Sequence, residues 1–152
     1  MFNKKSLVVL SLALAVLLTG SVAAIAADHQ EVVNATNNFL KDVHKQGFYT
    51  VSPKEVNTQR KVRPNLFILD VRTPGEVEDG IIPGATSVRL SDLAQSLDKL
   101  PDNKDTTVYV YCKAGTRGAY AVAVLHTLGY TEAYNMSGGF LAWKDAGYPV
   151  EN

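Results

Sequence analysis

Short apolar runs alternate along the chain with longer segments that mix apolar and polar residues. Each run is four or five residues long, the usual length of a buried strand. Helix-capping residues, or apolar residues at helical spacing, mark the segments between them. Strands that alternate with helices predict an α/β fold in which helices cover both faces of a parallel sheet. The predicted strands are residues 48–51, 66–69, 85–88, 107–111 and 133–136.

The first helix after residue 48 has recognisable ends. Ser52 as N-cap, Pro53 at the first position and Glu55 at the third form a helix start with a capping box. We expect the helix to be short, because Pro64 and the basic segment 60–63 should end it. The basic segment itself should be a solvated loop.

Three more helices are predicted along the rest of the chain. One spans residues 91–100 with Ser91 as its cap, and its leucines Leu93, Leu97 and Leu100 face the core. Another spans residues 118–128, with Gly129 just beyond its end, and the last follows Ser137, Gly138 and Gly139. Residues 71–84 form a loop dense in turn residues.

Residues 1–26 have the pattern of a secretory signal peptide. Two lysines precede an apolar run over residues 7–18, and the small residues Ala24 and Ala26 predict cleavage before Ala27. The alternative, a membrane anchor, is disfavoured because the run is shorter than the ~20 residues that span a bilayer. We therefore expect an exported, periplasmic protein with no membrane span after cleavage.

The predicted mature chain has 126 residues, about one domain. We divide it into a helical leader, residues 27–47, and a main domain, residues 48–152. Whether the leader docks on the domain or is frayed stays open at this stage. With 13 basic and 15 acidic residues the mature chain has a net charge of −2, which does not favour nucleic acid or an anionic membrane as a partner.

Cys112 is the single cysteine, so no internal disulfide can form. A lone cysteine is most often a small buried hydrophobe. Here it lies between a strand end and a helix start, where free N–H groups and the helix dipole stabilise a thiolate. Lys113 and Arg117 add positive charge on either side. This pattern indicates an anionic nucleophile that meets an anionic substrate.

In a parallel sheet the carboxyl ends of the strands meet at one edge, where ligands bind in open α/β folds. That edge should gather Asp70, the Cys112 loop and the turn at residues 137–139. The histidines have no metal-ligand spacing, so we predict neither a metal site nor a cofactor; they are His29, His44 and His126.

Three motifs resemble those of rhodanese domains. Residues 70–72, then Glu76 and residues 80–85, are similar to the first signature, although Ile81 stands where the family often has histidine. Residues 112–117 are similar to the active-site loop, and residues 138–143 to the closing motif. The resemblance covers about residues 48–150. It implies an α/β/α sandwich around a five-stranded parallel sheet, the rhodanese/cell-cycle-phosphatase type.

The resemblance also implies sulfur transfer. Cys112 would take the outer sulfur of a donor, thiosulfate or a persulfide, and pass it to cyanide, a thiol or a protein acceptor. Backbone N–H groups of residues 113–118 would hold the persulfide; this substrate-binding loop comprises Lys113, Ala114, Gly115, Thr116 and Gly118.

Supporting roles follow from the same resemblance. Arg117 would either bind the donor's sulfonate or close the loop by bonding to a carboxylate. Lys113 would either contact the donor or, as a solvent-exposed lysine, only make the electrostatic potential at the entrance of the site more positive. Asp70 would orient the loop, and Arg72 with Glu76 would form a structural ion pair.

Two rival functions remain. A cysteine phosphatase or arsenate reductase on this fold has five residues between cysteine and arginine, whereas four separate Cys112 from Arg117. The shorter loop suits a single sulfur better than a tetrahedral phosphate. The other rival is a sulfur-carrier module without turnover of small donors, which needs the same loop.

Overall fold

A computed structural model describes residues 27–152, so the predicted signal peptide lies outside the described residues. The chain divides into two units, Met1–Asn34 and Ala35–Asn152. In the first unit, residues 27–34 are helical. The sheet, the core and the candidate site all lie in the second unit. Within residues 27–152, no helix is both long enough and apolar enough to cross a bilayer.

The second unit is built on one five-stranded sheet in which every pairing between strands is parallel. The sheet has the order β1-β5-β4-β2-β3, which places β4 at its centre. This confirms the predicted α/β fold. The strands are β1 (Thr50–Val51), β2 (Phe67–Asp70), β3 (Ala85–Ser87), β4 (Val108–Tyr111) and β5 (Ala133–Met136).

The alternation of side chains along β4 separates two hydrophobic clusters, one on each face of the sheet. Val108 and Val110 belong to one cluster, whereas Tyr109 and Tyr111 belong to the other. Cys112 continues the first set and packs in the same cluster as Val110. The period of two therefore decides which face of the sheet the cysteine joins.

Four α-helices that follow β1 connect or flank the strands. Two have the predicted features: Ser52 Oγ accepts a hydrogen bond from the N–H of Glu55, and Gly129 has a φ of +88° just after the third helix. The third helix begins at Thr116, two residues earlier than predicted, and this brings Arg117 into its first turn. The helices are α1 (Pro53–Val62), α2 (Pro74–Val77), α3 (Thr116–Thr127) and α4 (Gly139–Asp145).

Two sequence predictions about helices were wrong. Helix α1 runs through Val62, so Arg60 and Lys61 lie in its last turn rather than in a loop. Basic residues interact well with the helix dipole there, and only Arg63, directly before proline, is extended.

The predicted helix over residues 91–100 is instead two 3-10 helices, Leu90–Gln95 and Leu97–Lys99. Ser91 does not cap them, because its hydroxyl donates to the Asp92 carboxylate. The inward positions were right nonetheless, since Leu93 and Leu100 are buried.

Part of the predicted leader packs on the domain. Residues 35–42 are helical, and Phe39 and Val43 pack against the cluster that contains Cys112. The Phe39 ring lies 5.4 Å from that of Tyr49 and 4.9 Å from that of His126, measured between centroids. His126 is buried, and its Nε2 lies 3.1 Å from the carbonyl oxygen of Ala133.

Candidate active site

Cys112 follows the last residue of the central strand and sits at the entrance to α3. Cys112 is 1% exposed, and its Sγ accepts a hydrogen bond of 3.1 Å from the N–H of Gly115. Gly115 is the N-cap of α3 with a φ of +103°, a conformation that favours glycine. The N–H groups that open α3 have no acceptor within the helix. The sulfur therefore lies beside a helix start, and one N–H donor, that of Gly115, is already directed at it.

The start of α4 supports the cysteine loop from the other side. The N–H of Phe140 donates to the carbonyl oxygen of Cys112 at 2.8 Å, and the N–H of Leu141 donates to that of Lys113 at 3.0 Å. Gly139 permits this approach: a Cβ there would overlap the Cys112 carbonyl oxygen and lie 2.8 Å from the Lys113 backbone. The glycines of the closing motif thus let one backbone pack directly on another.

Arg117 forms a two-pronged ion pair with Glu76. Its Nη1 lies 2.6 Å from Oε2 and its Nη2 lies 2.7 Å from Oε1. Oε2 also accepts hydrogen bonds from the N–H and hydroxyl of Thr73, in the capping box of α2. The bond from Arg117, with smaller help from Thr73 and against the effect of burial, lowers the pKa of Glu76 to about 2.

This pair matches one of the two roles expected for Arg117, closure of the loop on a neighbouring carboxylate. The hydrogen bond to Glu76 raises the pKa of Arg117, and the nearby sulfur of Cys112 adds to the shift. The guanidinium therefore stays charged beside the sulfur while both of its Nη atoms hold Glu76.

The predicted ion pair between Arg72 and Glu76 was wrong. Arg72 pairs with Asp70, since Nη2 lies 2.6 Å from Oδ2 and Nε lies within 3.0 Å of both carboxylate oxygens. Two carbonyl oxygens, those of Glu76 and Gly80, each accept a bond of 2.7 Å from Arg72. The guanidinium also lies 3.9 Å from the ring centroid of Phe140.

The Asp70–Arg72 pair is fully buried, and this explains why Arg72 pairs with Asp70 rather than with Glu76. Both side chains are at most 1% exposed, so each charge needs an opposite charge and further hydrogen bonds. Burial is the largest single effect and opposes the charge of Arg72, but the hydrogen bond and charge of Asp70, together with Tyr111, outweigh it and raise the pKa of Arg72. The pair shapes the 71–84 loop, which in turn presents Glu76 to Arg117.

The remaining residues of the predicted substrate loop differ in exposure. Lys113, Ala114 and Thr116 are exposed, whereas Gly115 and Gly118 are buried. No ion pair within residues 27–152 involves Lys113. Lys113 is therefore a free positive charge next to the cysteine. No group of metal-ligating side chains occurs in the described part of the chain.

Two side chains near this site were missed by the sequence reasoning. Thr73 completes the Glu76 network, and the Thr-Pro-x-Glu pattern of a capping box could have revealed it. Asn135 lies in β5 behind the cysteine loop, and a lone amide inside an apolar strand was its available signal.

Comparison with known proteins agrees with this geometry. The family model described as the rhodanese-like domain matches residues 52–146. The chain belongs to the rhodanese-like family. The match covers both the Asp70–Glu76 segment and the cysteine loop, and it ends after α4.

Several relatives of this rhodanese-like chain are sulfurtransferases by name. It is 34% identical over 86 residues to a sulfurtransferase of Allochromatium vinosum, a match that covers 57% of this chain and 78% of that one. It is 32% identical over 95 residues to the human thiosulfate:glutathione sulfurtransferase, covering 55% of this chain and 81% of that one.

A solved structure shows the same fold. The rhodanese-related protein of Thermoplasma volcanium is 30% identical, with a TM-score of 0.59, and the match covers 66% of this chain and 95% of that one. Together these relatives support a rhodanese-family enzyme of the sulfurtransferase type.

Proposed function

We propose that this protein transfers a sulfane sulfur from thiosulfate or a similar donor to a thiophilic acceptor through a persulfide on Cys112. The observation that carries the proposal is the position of the sulfur. It follows the central strand and accepts a hydrogen bond from the N–H of Gly115, the N-cap of α3. Its relatives include named sulfurtransferases.

In the first half-reaction the Cys112 thiolate attacks the outer sulfur of thiosulfate. A bond forms between Sγ and that sulfur, the sulfur–sulfur bond of the donor breaks, and sulfite leaves with the electron pair. In the second half-reaction cyanide or a thiolate attacks the terminal sulfur, and the electron pair of the persulfide bond returns to Sγ. Each half-reaction conserves charge, and ping-pong kinetics follow.

The surroundings of the sulfur suit these steps. The persulfide carries its negative charge on the terminal sulfur, where free N–H groups and the dipole of α3 stabilise it. Because Arg117 is held by Glu76, the sulfonate of the donor would be met by Lys113 at the mouth. Arg117 then acts by closing the loop rather than by binding the donor.

The short loop disfavours the phosphatase alternative. Four residues separate Cys112 from Arg117, and this arginine is not free to hold a tetrahedral anion. The carrier-module alternative differs from the proposal only in turnover.

We also propose that the protein acts outside the cytoplasm, because residues 1–26 have the pattern of a signal peptide. Mature protein from a periplasmic extract should then begin at Ala27.

Intact-mass measurement tests the proposed function. Protein beginning at Ala27, incubated with thiosulfate, should gain the mass of one sulfur atom and lose it again with cyanide. The Cys112→Ser variant should gain nothing. A wild-type protein that never loads sulfur contradicts the proposal. Loading without steady-state formation of thiocyanate indicates the carrier module, and Cys112-dependent hydrolysis of an aryl phosphate indicates the phosphatase.

A further inference from the structure

Asn135 is a buried amide with an unusual environment. It lies inside β5, between its strand partners Thr50 and Val110, and is 7% exposed. Its Oδ1 is buried and has no hydrogen-bond partner. Buried polar atoms in proteins nearly always have a partner, so an unpaired one in a strand requires an explanation.

The amide lies directly against the first turn of α3. A Cβ added to Gly118 would overlap Oδ1 and lie 3.2 Å from Cγ of Asn135. A Cβ added to Gly115 would lie 3.9 Å from Nδ2. Asn135 therefore fills the space beneath the turn that runs from Gly115 to Gly118, and the lack of a side chain at Gly118 makes that space available.

The charge distribution accounts for the unpaired oxygen. Gly118 is the third residue of α3, so Oδ1 lies at the helix end that carries the partial positive charge. A carbonyl oxygen is electrostatically favoured there even without a hydrogen bond of good geometry. The amide is also neutral, so it fills the space without placing a negative charge beneath the first turn of α3.

We propose that Asn135 is a positioning residue for Cys112. Its amide supports the first turn of α3 and so holds the N–H of Gly115 on the cysteine sulfur at 3.1 Å. The residue acts through the loop and does not touch the reacting atoms. The inference rests on the proposed function only in taking Cys112 as the nucleophile.

The reactivity of Cys112 toward iodoacetamide, measured against pH, tests this inference without any sulfur transfer. In Asn135→Ala the turn loses its support, and we expect alkylation at neutral pH to slow by about tenfold, because small displacements of a reacting group are costly. The half-maximal pH should rise. Asn135→Asp keeps the shape but adds a negative charge beneath the turn whose Gly115 N–H binds the sulfur, so its half-maximal pH should rise as well.

A double variant separates positioning from general damage. Gly118→Ala alone should slow alkylation strongly, because its Cβ meets Oδ1 of Asn135. Adding Asn135→Ala removes the overlap, so the double variant should react faster than Gly118→Ala alone. Val56→Ala, in the hydrophobic cluster on the opposite face, should lower the unfolding temperature and leave the pH profile unchanged.

Three results would overturn the inference: an unchanged pH profile in Asn135→Ala, additive losses in the double variant, or an equal shift in Val56→Ala. If Asn135→Ala does not fold, the comparison of Gly118→Ala with the double variant keeps the test decisive. If wild-type protein never loads sulfur from thiosulfate while the Asn135 variants still shift the profile, the proposed function fails and the positioning role stands.

Discussion

Arg117 and Glu76, 41 residues apart in the chain, form two parallel hydrogen bonds of 2.6 and 2.7 Å. The pair joins the first turn of α3 to the short helix α2, and so fixes the far end of the cysteine loop to the 71–84 loop. The side chains are 31% and 24% exposed, which leaves them partly shielded from solvent. Parallel bonds of this kind are among the stronger ones in proteins.

We expect the two residues to be energetically coupled. Arg117→Ala and Glu76→Gln should each lower the free energy of unfolding, and a double-variant cycle should give a coupling of about 1–3 kcal/mol. Urea unfolding of the four proteins measures it. The exposed pair Arg89 and Asp92 has side chains 48% and 47% exposed, and its cycle should give less than about 1 kcal/mol. Equal couplings for the two pairs would argue against a special role for Glu76.

The low pKa of Glu76 predicts a specific acid dependence. Its pKa is about 2 in the folded protein against 4.5 for an ordinary glutamate, so between these values the unfolded state binds more protons. The stabilisation is therefore complete above pH 4.5 and is lost as the pH falls toward 2. The difference in unfolding free energy between wild type and Glu76→Gln should shrink over that range. A difference independent of pH would contradict the assignment.

Gly139 should tolerate no side chain. Gly139→Ala combines a φ of +57° with overlap of the Cys112 carbonyl oxygen, so it should displace the loop and abolish most of the alkylation of Cys112. Gly147 provides the control, since its φ is +68° but a Cβ there meets nothing within 4 Å. Gly147→Ala should cost about 1–2 kcal/mol of strain alone, and Gly139→Ala at least about 2 kcal/mol more. Thermal unfolding measures both variants. Equal losses of stability in Gly139→Ala and Gly147→Ala would show that overlap with the Cys112 carbonyl oxygen plays no part.

Breaking the buried pair should be more damaging than breaking any exposed one. Asp70→Asn leaves the buried guanidinium of Arg72 without an opposite charge, and we expect a loss of about 3–5 kcal/mol in the free energy of unfolding. Asp42→Asn removes the partner of Lys45 on the surface, where the expected change is below about 0.5 kcal/mol. Chemical denaturation of both variants compares them, and a mild effect at Asp70 would rule out a structural role for the pair.

Much of the architecture could be predicted because it depends on local pattern. Buried strands such as Phe67–Asp70 and Ala133–Met136 are short runs bounded by turn residues, and their length favours a strand over a helix. The capping residues of α1 act on neighbouring N–H groups, so Ser52 could be assigned correctly. Prediction failed over residues 91–100, where the helical geometry breaks at Ser96, with a φ of −127°, and two 3-10 helices replace one α-helix.

The sequence by itself determined that a thiol follows a strand, that glycines flank it and that cations stand nearby. These features depend on order along the chain and on the period of two in a strand. Only the tertiary structure decided which charges pair. Arg72 takes Asp70 because both are buried together, and this leaves Glu76 to Arg117. Likewise, Asn135 meets Gly118 only where β5 passes beneath α3, a contact set by sheet order that no local pattern contains.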